Sequence, residues 1–369
     1  MFIRILLFVV IFLCASMATM AQERIVIGQS APLSGDNAAF GTDIRDGALA
    51  YFKFVNDAGG VNGRKIELIT IDDGNDRTRA GQNTTKLLNE HDAVALFGFA
   101  SATLSLDALP QAERLRAPVF ATFTGASVVR KSPVVFTIRP TYEEEMDKIL
   151  EFWQSNGIQR VTVFHYDDEV GMQNLKAVSD RVKQRTNQPV VSVSIKRNAP
   201  AGDEIVQAII KSDPQLLLST VASKPAATLL EALRKSNKYY STSSSSFVGS
   251  AQFIRLVGSQ GAGVSITQVV PSPAHTTIPI VAECARAMRA AQIADMNYTN
   301  LEACIGAKIL VEGIRRAGKN MSRSSLLKSL QGLGTYDVGG FSVTFNRDSQ
   351  HGSRWTELSV ITKAGGFRN

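Results

Sequence analysis

Histidine and cysteine are scarce in this sequence. The chain of 369 residues has four histidines and three cysteines. The histidines His91, His165, His275 and His351 do not follow a metal-ligand spacing, and Cys284 and Cys304 do not form a Cys-x-x-Cys pair. The sequence therefore predicts a protein with no metal ion and no other cofactor.

Motifs that would indicate an enzyme are also missing. The serine-rich run 241–246 has no histidine in a recognisable partner position, so it does not resemble a nucleophile with its base. We expect it to be a flexible segment at the edge of a cleft. The glycines of 258–263 follow a helical pattern and precede a strand, which reverses the order of a dinucleotide-binding loop. We predict that the protein is not an enzyme.

Beyond the N-terminus the sequence has no long apolar run and no block of like charge. No segment there approaches the roughly 20 apolar residues of a membrane-spanning helix. The formal net charge is +7, but Lys and Arg are interspersed with Asp and Glu. This pattern favours a solvated surface over a nucleic-acid interface. The mild positive field is weakly favourable to an anionic ligand.

The first 21 residues have the pattern of a secretory signal peptide. Arg4 precedes an apolar run at 5–13, and small residues end at Ala21, where we predict cleavage. Cys14 lacks the small residue expected just before a lipidated cysteine, so lipid anchoring is the less favoured alternative. The remaining 348 residues are enough for two domains. We expect an exported, soluble protein.

The two cysteines beyond this leader leave two alternatives open. An oxidising compartment would allow Cys284 and Cys304 to pair. Both lie in helical patterns that meet near residues 295–298. Measured from that connection, they lie at unequal distances along their helices, which would offset them by several ångströms at a rise of about 1.5 Å per residue. The pair is either a disulfide or two buried thiols.

Strand patterns alternate with amphipathic helical patterns along the chain, which is typical of an α/β fold with parallel strands. The first series predicts strands at 24–29, 65–72, 93–98 and 118–122. A second series begins after Pro140, with strands at 160–165, 189–194, 215–220 and 264–269. Three helices follow the break at 271–273, and an antiparallel pair, 340–345 with 356–362, is predicted to close the chain.

Several segments carry a resemblance to a known family. IVIGQSAPLSGDNAAFG, VNDAGGVNGRKIELITIDDGND and AVALFG resemble, in order and spacing, the periplasmic branched-chain amino acid type of ABC-transporter solute-binding protein. The similarity continues through FTGASVVR, RVTVFHYDDEVG, SFVGSAQF, VVPSP, VGGFSVTF and HGSRWTEL. The resemblance implies two doubly wound parallel-sheet lobes joined by a three-segment hinge. The ligand would bind between them, at the carboxyl ends of the strands.

The resemblance also implies lobes and a role. Residues 22–139 and 272–339 would form the N-terminal lobe, and residues 140–271 and 340–369 the C-terminal lobe, with crossings at Pro140, Pro271 and 337–340. The implied function is the capture of a small amino-acid-like or carboxylate solute in the periplasm by a monomer. The solute would pass to the permease of an ABC transporter. The alternative is a periplasmic sensing module for a separate signalling partner.

From the first lobe, the resemblance implies ligand contacts at Phe40, Ser101, Ala102, Thr103, Thr124, Gly125 and Ala126. The turn at Ser101 precedes a predicted helix, so its backbone N–H groups and hydroxyls could hold a carboxylate. Ser101 could instead only cap that helix, and the Thr124 hydroxyl could form only a local turn bond. Phe40 would flank an apolar part of the ligand.

From the second lobe, the implied contacts are Glu169, Val170, Ser223 and Ser246. Amino acid binders of this type often have an aromatic residue at the place of Val170. Binders of α-amino acids commonly have an acid at the place of Ser246, where it pairs with the ammonium group. A buried ammonium without a carboxylate is costly. Either Glu169 or Asp168 replaces that acid, or the ligand is not an α-amino acid.

Overall fold

The computed structural model describes residues 24–197, 199, 201–293 and 295–368. The predicted signal peptide, 1–21, lies outside the described residues. The strands are β1 (Ile25–Ala31), β2 (Ile66–Asp72), β3 (Ala95–Phe97), β4 (Val119–Phe120), β5 (Val135–Phe136), β6 (Val161–Tyr166), β7 (Val191–Ile195), β8 (Leu216–Ser219), β9 (Ser241–Ser244), β10 (Ser265–Gln268), β11 (Gly334–Asp337), β12 (Ser342–Phe345), β13 (Glu357–Ile361) and β14 (Phe367–Arg368).

Helices alternate with these strands, as the sequence predicts. They are α1 (Ala38–Asp57), α2 (Arg77–Asn89), α3 (Ala102–Arg114), α4 (Tyr142–Gln154), α5 (Glu169–Thr186), α6 (Asp203–Ser212), α7 (Ser223–Lys235), α8 (Ser250–Val257), α9 (Pro279–Ala290), α10 (Tyr298–Ala317) and α11 (Arg323–Gln331). No helix in the described ranges is both long enough and apolar enough to cross a membrane.

The first sheet has the strand order β2-β1-β3-β4-β5, and all of its strands are parallel. Helix α1 packs against α9 and α10, and α2 packs against α3. The strand order reverses between β1 and β3. In an open parallel sheet, the carboxyl ends of the strands at such a reversal form a crevice that suits a ligand.

The second sheet has the order β14-β13-β10-β9-β8-β6-β7, with β13 and β14 antiparallel to their neighbours. Its strand order reverses between β6 and β8. Separate apolar clusters pack against it, one around Phe164 and Leu230 and one around Met146 and Val178. The two sheets and their helices confirm the predicted α/β fold of two parallel-sheet lobes.

Most of the serine-rich run, Ser241–Ser244, forms the largely buried strand β9, so the prediction of a flexible segment was wrong. β9 pairs with β8 on one side and β10 on the other. The hydroxyls of this strand find partners on neighbouring elements: Trp153 Nε1 of helix α4 donates to Ser243 Oγ at 2.6 Å, and Ser244 Oγ donates to the Ser219 carbonyl of β8 at 3.1 Å. Burial of these serines is therefore compensated by hydrogen bonds.

The predicted pairing of 340–345 with 356–362 was also wrong. β12 pairs with β11, whereas β13 pairs with β10 and β14. Phe345 on β12 packs edge-on against Phe136 of the first sheet, with ring centroids 5.4 Å apart. The chain therefore enters the second sheet between β12 and β13. The predicted lobe boundary at 340 lies too early, because the apolar residues of β12 belong to the first core.

Cys284 and Cys304 form a disulfide, with their Cα atoms 6.0 Å apart. Helix α9 ends at Ala290 and α10 begins at Tyr298. Cys284 therefore lies six residues before one helix end, and Cys304 six residues after the other. The expected offset was wrong because the connection spans 291–297 rather than a bend at 295–298. Equal distances from the connection bring the two side chains level.

Replacement of both cysteines by alanine is expected to lower the midpoint of thermal unfolding by several degrees. The bond joins residues 20 apart in sequence, and closing a loop of that length stabilises the fold by about 3 kcal/mol. Calorimetry with and without a reductant measures the effect. The reductant should lower the midpoint of the wild type and leave that of the double variant unchanged. Equal midpoints for the oxidised wild type and the variant would contradict this expectation.

Candidate ligand-binding site

A pocket of about 290 Å³ lies where strand ends of the two sheets face each other. Five of the predicted contacts line it: Ser101, Ala102, Thr103, Thr124 and Val170. A second pocket of about 320 Å³ shares the wall at Ser101 and includes Phe40 and Ser223. The structure therefore brings together seven of the predicted contact residues.

The amino end of α3 provides the most polar wall of the first pocket. Ser101 Oγ accepts a hydrogen bond from the Leu104 N–H at 3.3 Å and lies 3.0 Å from Thr103 Oγ1. Both side chains are buried. Ser101 thus caps the helix and also lines the pocket, so its two predicted roles are compatible. The helix end and the hydroxyls can together bind an anion.

The turn after β4 contributes less directly than predicted. Thr124 Oγ1 accepts from the Ala126 N–H at 3.1 Å and donates to the Tyr142 hydroxyl at 3.3 Å. Ala126 packs in an apolar cluster that includes Ala102 and Val170. Gly125 does not line the pocket. A Cβ there would lie 2.7 Å from the Tyr142 backbone nitrogen, so this glycine permits the close approach of α4.

The acids near the start of α5 do not line either pocket. Glu169 is exposed. Asp168 caps α5 by accepting from the Gly171 N–H at 2.9 Å, and its other oxygen accepts from Arg197 Nη2 at 2.6 Å. Neither carboxylate is therefore placed to pair with an ammonium group bound in these pockets.

Ser246 lies in a buried polar network at the hinge, away from the lining of the pockets. Its N–H and its hydroxyl donate to the Glu145 carboxylate at 2.8 and 2.9 Å. Arg139 Nη1 donates to Ser246 Oγ at 3.3 Å, and the Arg139 guanidinium binds both oxygens of Glu302. A cation therefore approaches the position where α-amino acid binders commonly have an acid.

Sequence reasoning missed the remaining lining residues of the first pocket, which are Tyr142, Tyr166, Gly171, Asn174, Arg197, Thr220 and Phe247. Two of them, Tyr166 and Thr220, could have been predicted, because they lie at the carboxyl ends of predicted strands, where ligands bind in such folds. Arg197 had none. It follows β7 at the edge of the sheet, and only the tertiary fold turns it toward the pocket.

Sequence comparison assigns the chain to a family. A family model described as periplasmic binding protein matches residues 24–365. The chain belongs to the periplasmic binding protein family. This membership confirms the resemblance seen in the sequence and implies a periplasmic location. The family consists of binding proteins rather than enzymes, as we predicted.

Solved structures of other periplasmic binding proteins share this fold. A Rhodopirellula baltica protein, described as a possible leucine/isoleucine/valine-binding protein, is 26% identical, with a TM-score of 0.90 over 94% of this chain and 96% of that one. A substrate-binding periplasmic protein from Ralstonia solanacearum is 28% identical, with a TM-score of 0.87 over 92% and 98% of the two chains.

Curated relatives of this periplasmic binding protein match over shorter stretches. The Leu/Ile/Val-binding protein homolog 1 of Brucella abortus is 45% identical over 56 residues, which is 15% of each chain. An amino acid binding protein of Pseudomonas aeruginosa is 33% identical over 92 residues, or 25% of each chain. The matched stretches therefore span a quarter or less of these relatives.

The pocket of this binding protein is rich in hydrogen-bond donors. The Tyr142 hydroxyl accepts from Thr124, and the Tyr166 hydroxyl accepts from the Ala222 N–H at 3.1 Å, so both O–H groups are left to donate. Burial raises the pKa of Tyr142 to about 12 and also raises the pKa of Tyr166, which keeps both groups protonated. None of the described residues lining either pocket is Asp or Glu. This lining favours an anion.

The hinge network of the binding protein contains a buried ion pair. The side chains of Arg139 and Glu302 are 2% and 4% exposed. Burial alone would lower the pKa of Arg139, but the Glu302 carboxylate raises it above its ordinary value, so Arg139 stays charged. Burial raises the pKa of Glu145, and the charge of Arg139 opposes that shift. Glu302 therefore balances a cation that has no access to water.

Substitution Glu302→Gln is expected to destabilise the fold by about 3 kcal/mol or more, because it leaves the buried Arg139 without its counter-charge. The free energy of unfolding from urea titrations measures the loss. Asp180→Asn is the matched control, because it breaks the exposed Lys176–Asp180 pair and should cost less than about 1 kcal/mol. Similar losses for the two variants would contradict a structural role for the buried pair.

Proposed function

We propose that this periplasmic binding protein captures a small carboxylate between its lobes and delivers it, as a monomer, to the permease of an ABC transporter. The observation that carries the proposal is the pocket lining, which offers several donors and no Asp or Glu among the described residues. A carboxylate is the common small anion that such a set of donors satisfies. An amino-acid-like solute would fit only if its ammonium group could donate to an acceptor other than an Asp or Glu carboxylate.

The carboxylate would bind at the amino end of α3. Free backbone N–H groups of the first helical turn carry a partial positive charge, and the hydroxyls of Ser101 and Thr103 lie beside them. Aliphatic and aromatic surface from Val170 and Phe247 would cover the apolar part of the ligand. These contacts support the prediction that residues of this turn bind the ligand.

Contacts between the lobes support a closed, solute-bound form that a permease could recognise. Asp36 of the first lobe pairs with Lys224 of the second at 2.6 Å. Gln252 of the second lobe donates to Asp43 of the first at 2.8 Å. Because such contacts form only when the lobes close, binding of solute and exposure of a docking surface would be coupled.

Pentanoate should raise the unfolding midpoint of ligand-stripped, refolded protein if the proposal is right. At about 100 times its dissociation constant it would add roughly 2.7 kcal/mol. Substitution Thr103→Val should weaken binding of pentanoate about tenfold, because a hydrogen bond to a charged group is lost. Isothermal titration calorimetry measures the dissociation constant of pentanoate for the wild type and for the variant.

Thr85→Val is the matched control for this experiment, because Thr85 is exposed and its hydroxyl donates to the Gly81 carbonyl of its own helix. Its affinity for pentanoate should equal that of the wild type. If no aliphatic or aromatic carboxylate binds a folded sample, the proposed ligand class is wrong. Co-purification with a signalling protein instead of a permease would contradict the transport role and support the sensing role.

A further inference from the structure

Arg197 is the single charged side chain among the described residues that line the first pocket. Its guanidinium lies 4.0 Å from the centre of the Tyr166 ring. Asp168 accepts from its Nε at 2.9 Å and from its Nη2 at 2.6 Å. Stacking and the paired carboxylate hold the guanidinium in one orientation, which lowers the entropy lost when it binds a further acceptor.

We propose that the ligand is a short dicarboxylate, with its first carboxylate at the amino end of α3 and its second on Arg197. This inference rests on the proposed function, because it assumes the carboxylate site at α3. Asp168 occupies Nε and Nη2, so Nη1 remains for the ligand. An α-amino acid binder has an acid that pairs with the ammonium group of its ligand. This pocket would instead have a cation that pairs with a second carboxylate.

Thr220 provides a second, independent indication of an acceptor on the ligand. It follows β8 at the strand reversal, lines the pocket, and is 3% exposed. Its hydroxyl has no hydrogen-bond partner among the described residues. A buried hydroxyl without a partner costs free energy, and a ligand carboxylate beside Arg197 would satisfy it.

Two further donors converge on the same pocket. Tyr142 and Tyr166 each accept one hydrogen bond from the protein, at 3.3 and 3.1 Å, and keep their own O–H to donate. A ligand with one carboxylate could satisfy the donors near α3 and leave those near Arg197 unpaired. A second carboxylate supplies acceptors for both groups of donors.

The probes for this pocket are three acids of equal chain length. Glutarate, pentanoate and norvaline have five-carbon backbones and differ in their charged groups, so they are the probes of choice.

Isothermal titration of the ligand-stripped full chain with these three compounds tests the inference. Glutarate should bind at least about tenfold more tightly than pentanoate, since one charge-assisted hydrogen bond is worth that factor. Norvaline should bind more weakly than pentanoate, because its ammonium group meets donors and Arg197. A norvaline affinity equal to or above that of glutarate overturns the inference.

Substitution Arg197→Met should bring the dissociation constant of glutarate to that of pentanoate. Arg234→Met is the matched control, because Arg234 is also partly buried and stacks on a tyrosine, Tyr239, at 4.5 Å, but lies outside the first pocket. It should keep the full preference for glutarate. Thr220→Val is the second variant, and it should reduce the affinity for glutarate more than that for pentanoate even if Arg197→Met fails to fold.

The outcomes separate this inference from the proposed function. Tight binding of pentanoate, with no gain for glutarate and no effect of either variant on their ratio, overturns the dicarboxylate and leaves the carboxylate site at α3 standing. Failure of both acids to bind folded wild-type protein overturns the two together. A preference for glutarate that Arg197→Met removes and Arg234→Met preserves supports the second anion site.

Discussion

The buried pair between Arg139 and Glu302 is the interaction on which the site depends. The two side chains are nearly inaccessible to water, so each needs the other to compensate for lost hydration. Arg139 lies directly before the first crossing between the sheets and reaches Ser246 of the second lobe at 3.3 Å. The pair therefore holds two compensating charges at the junction of the lobes.

The chemistry of the pocket follows from how its hydroxyls are already used. Thr124 and the Ala222 N–H each donate to a tyrosine oxygen, which directs both tyrosine O–H groups elsewhere. One oxygen of Asp168 accepts a hydrogen bond at the start of α5, and the other accepts from Arg197. Acceptors are used within the protein while donors remain, and this imbalance is the basis of the proposed preference for an acceptor-rich anion.

The sequence allowed the fold and one wall of the site to be predicted. Most strands and helices up to β10 were found because their apolar periodicity is local, whereas β5 and β9 were missed. Ser101 and Thr103 were found because they follow a buried strand and open a helix. The pairing of β12 was missed, since register between distant segments depends on which core accepts Phe345. β9 was mistaken for a flexible segment because its serines find hydrogen-bond partners only on neighbouring strands and on helix α4.

By itself, the sequence determined the family, the α/β alternation and the lack of an acid at Ser246, because each is carried by residue type and spacing along the chain. Only the tertiary structure decided that Cys284 and Cys304 are bonded, that Glu169 is exposed, and that Arg197 lines the pocket. The physical reason is that burial, pairing and the direction of a side chain depend on contacts between elements far apart in sequence, which no local pattern contains.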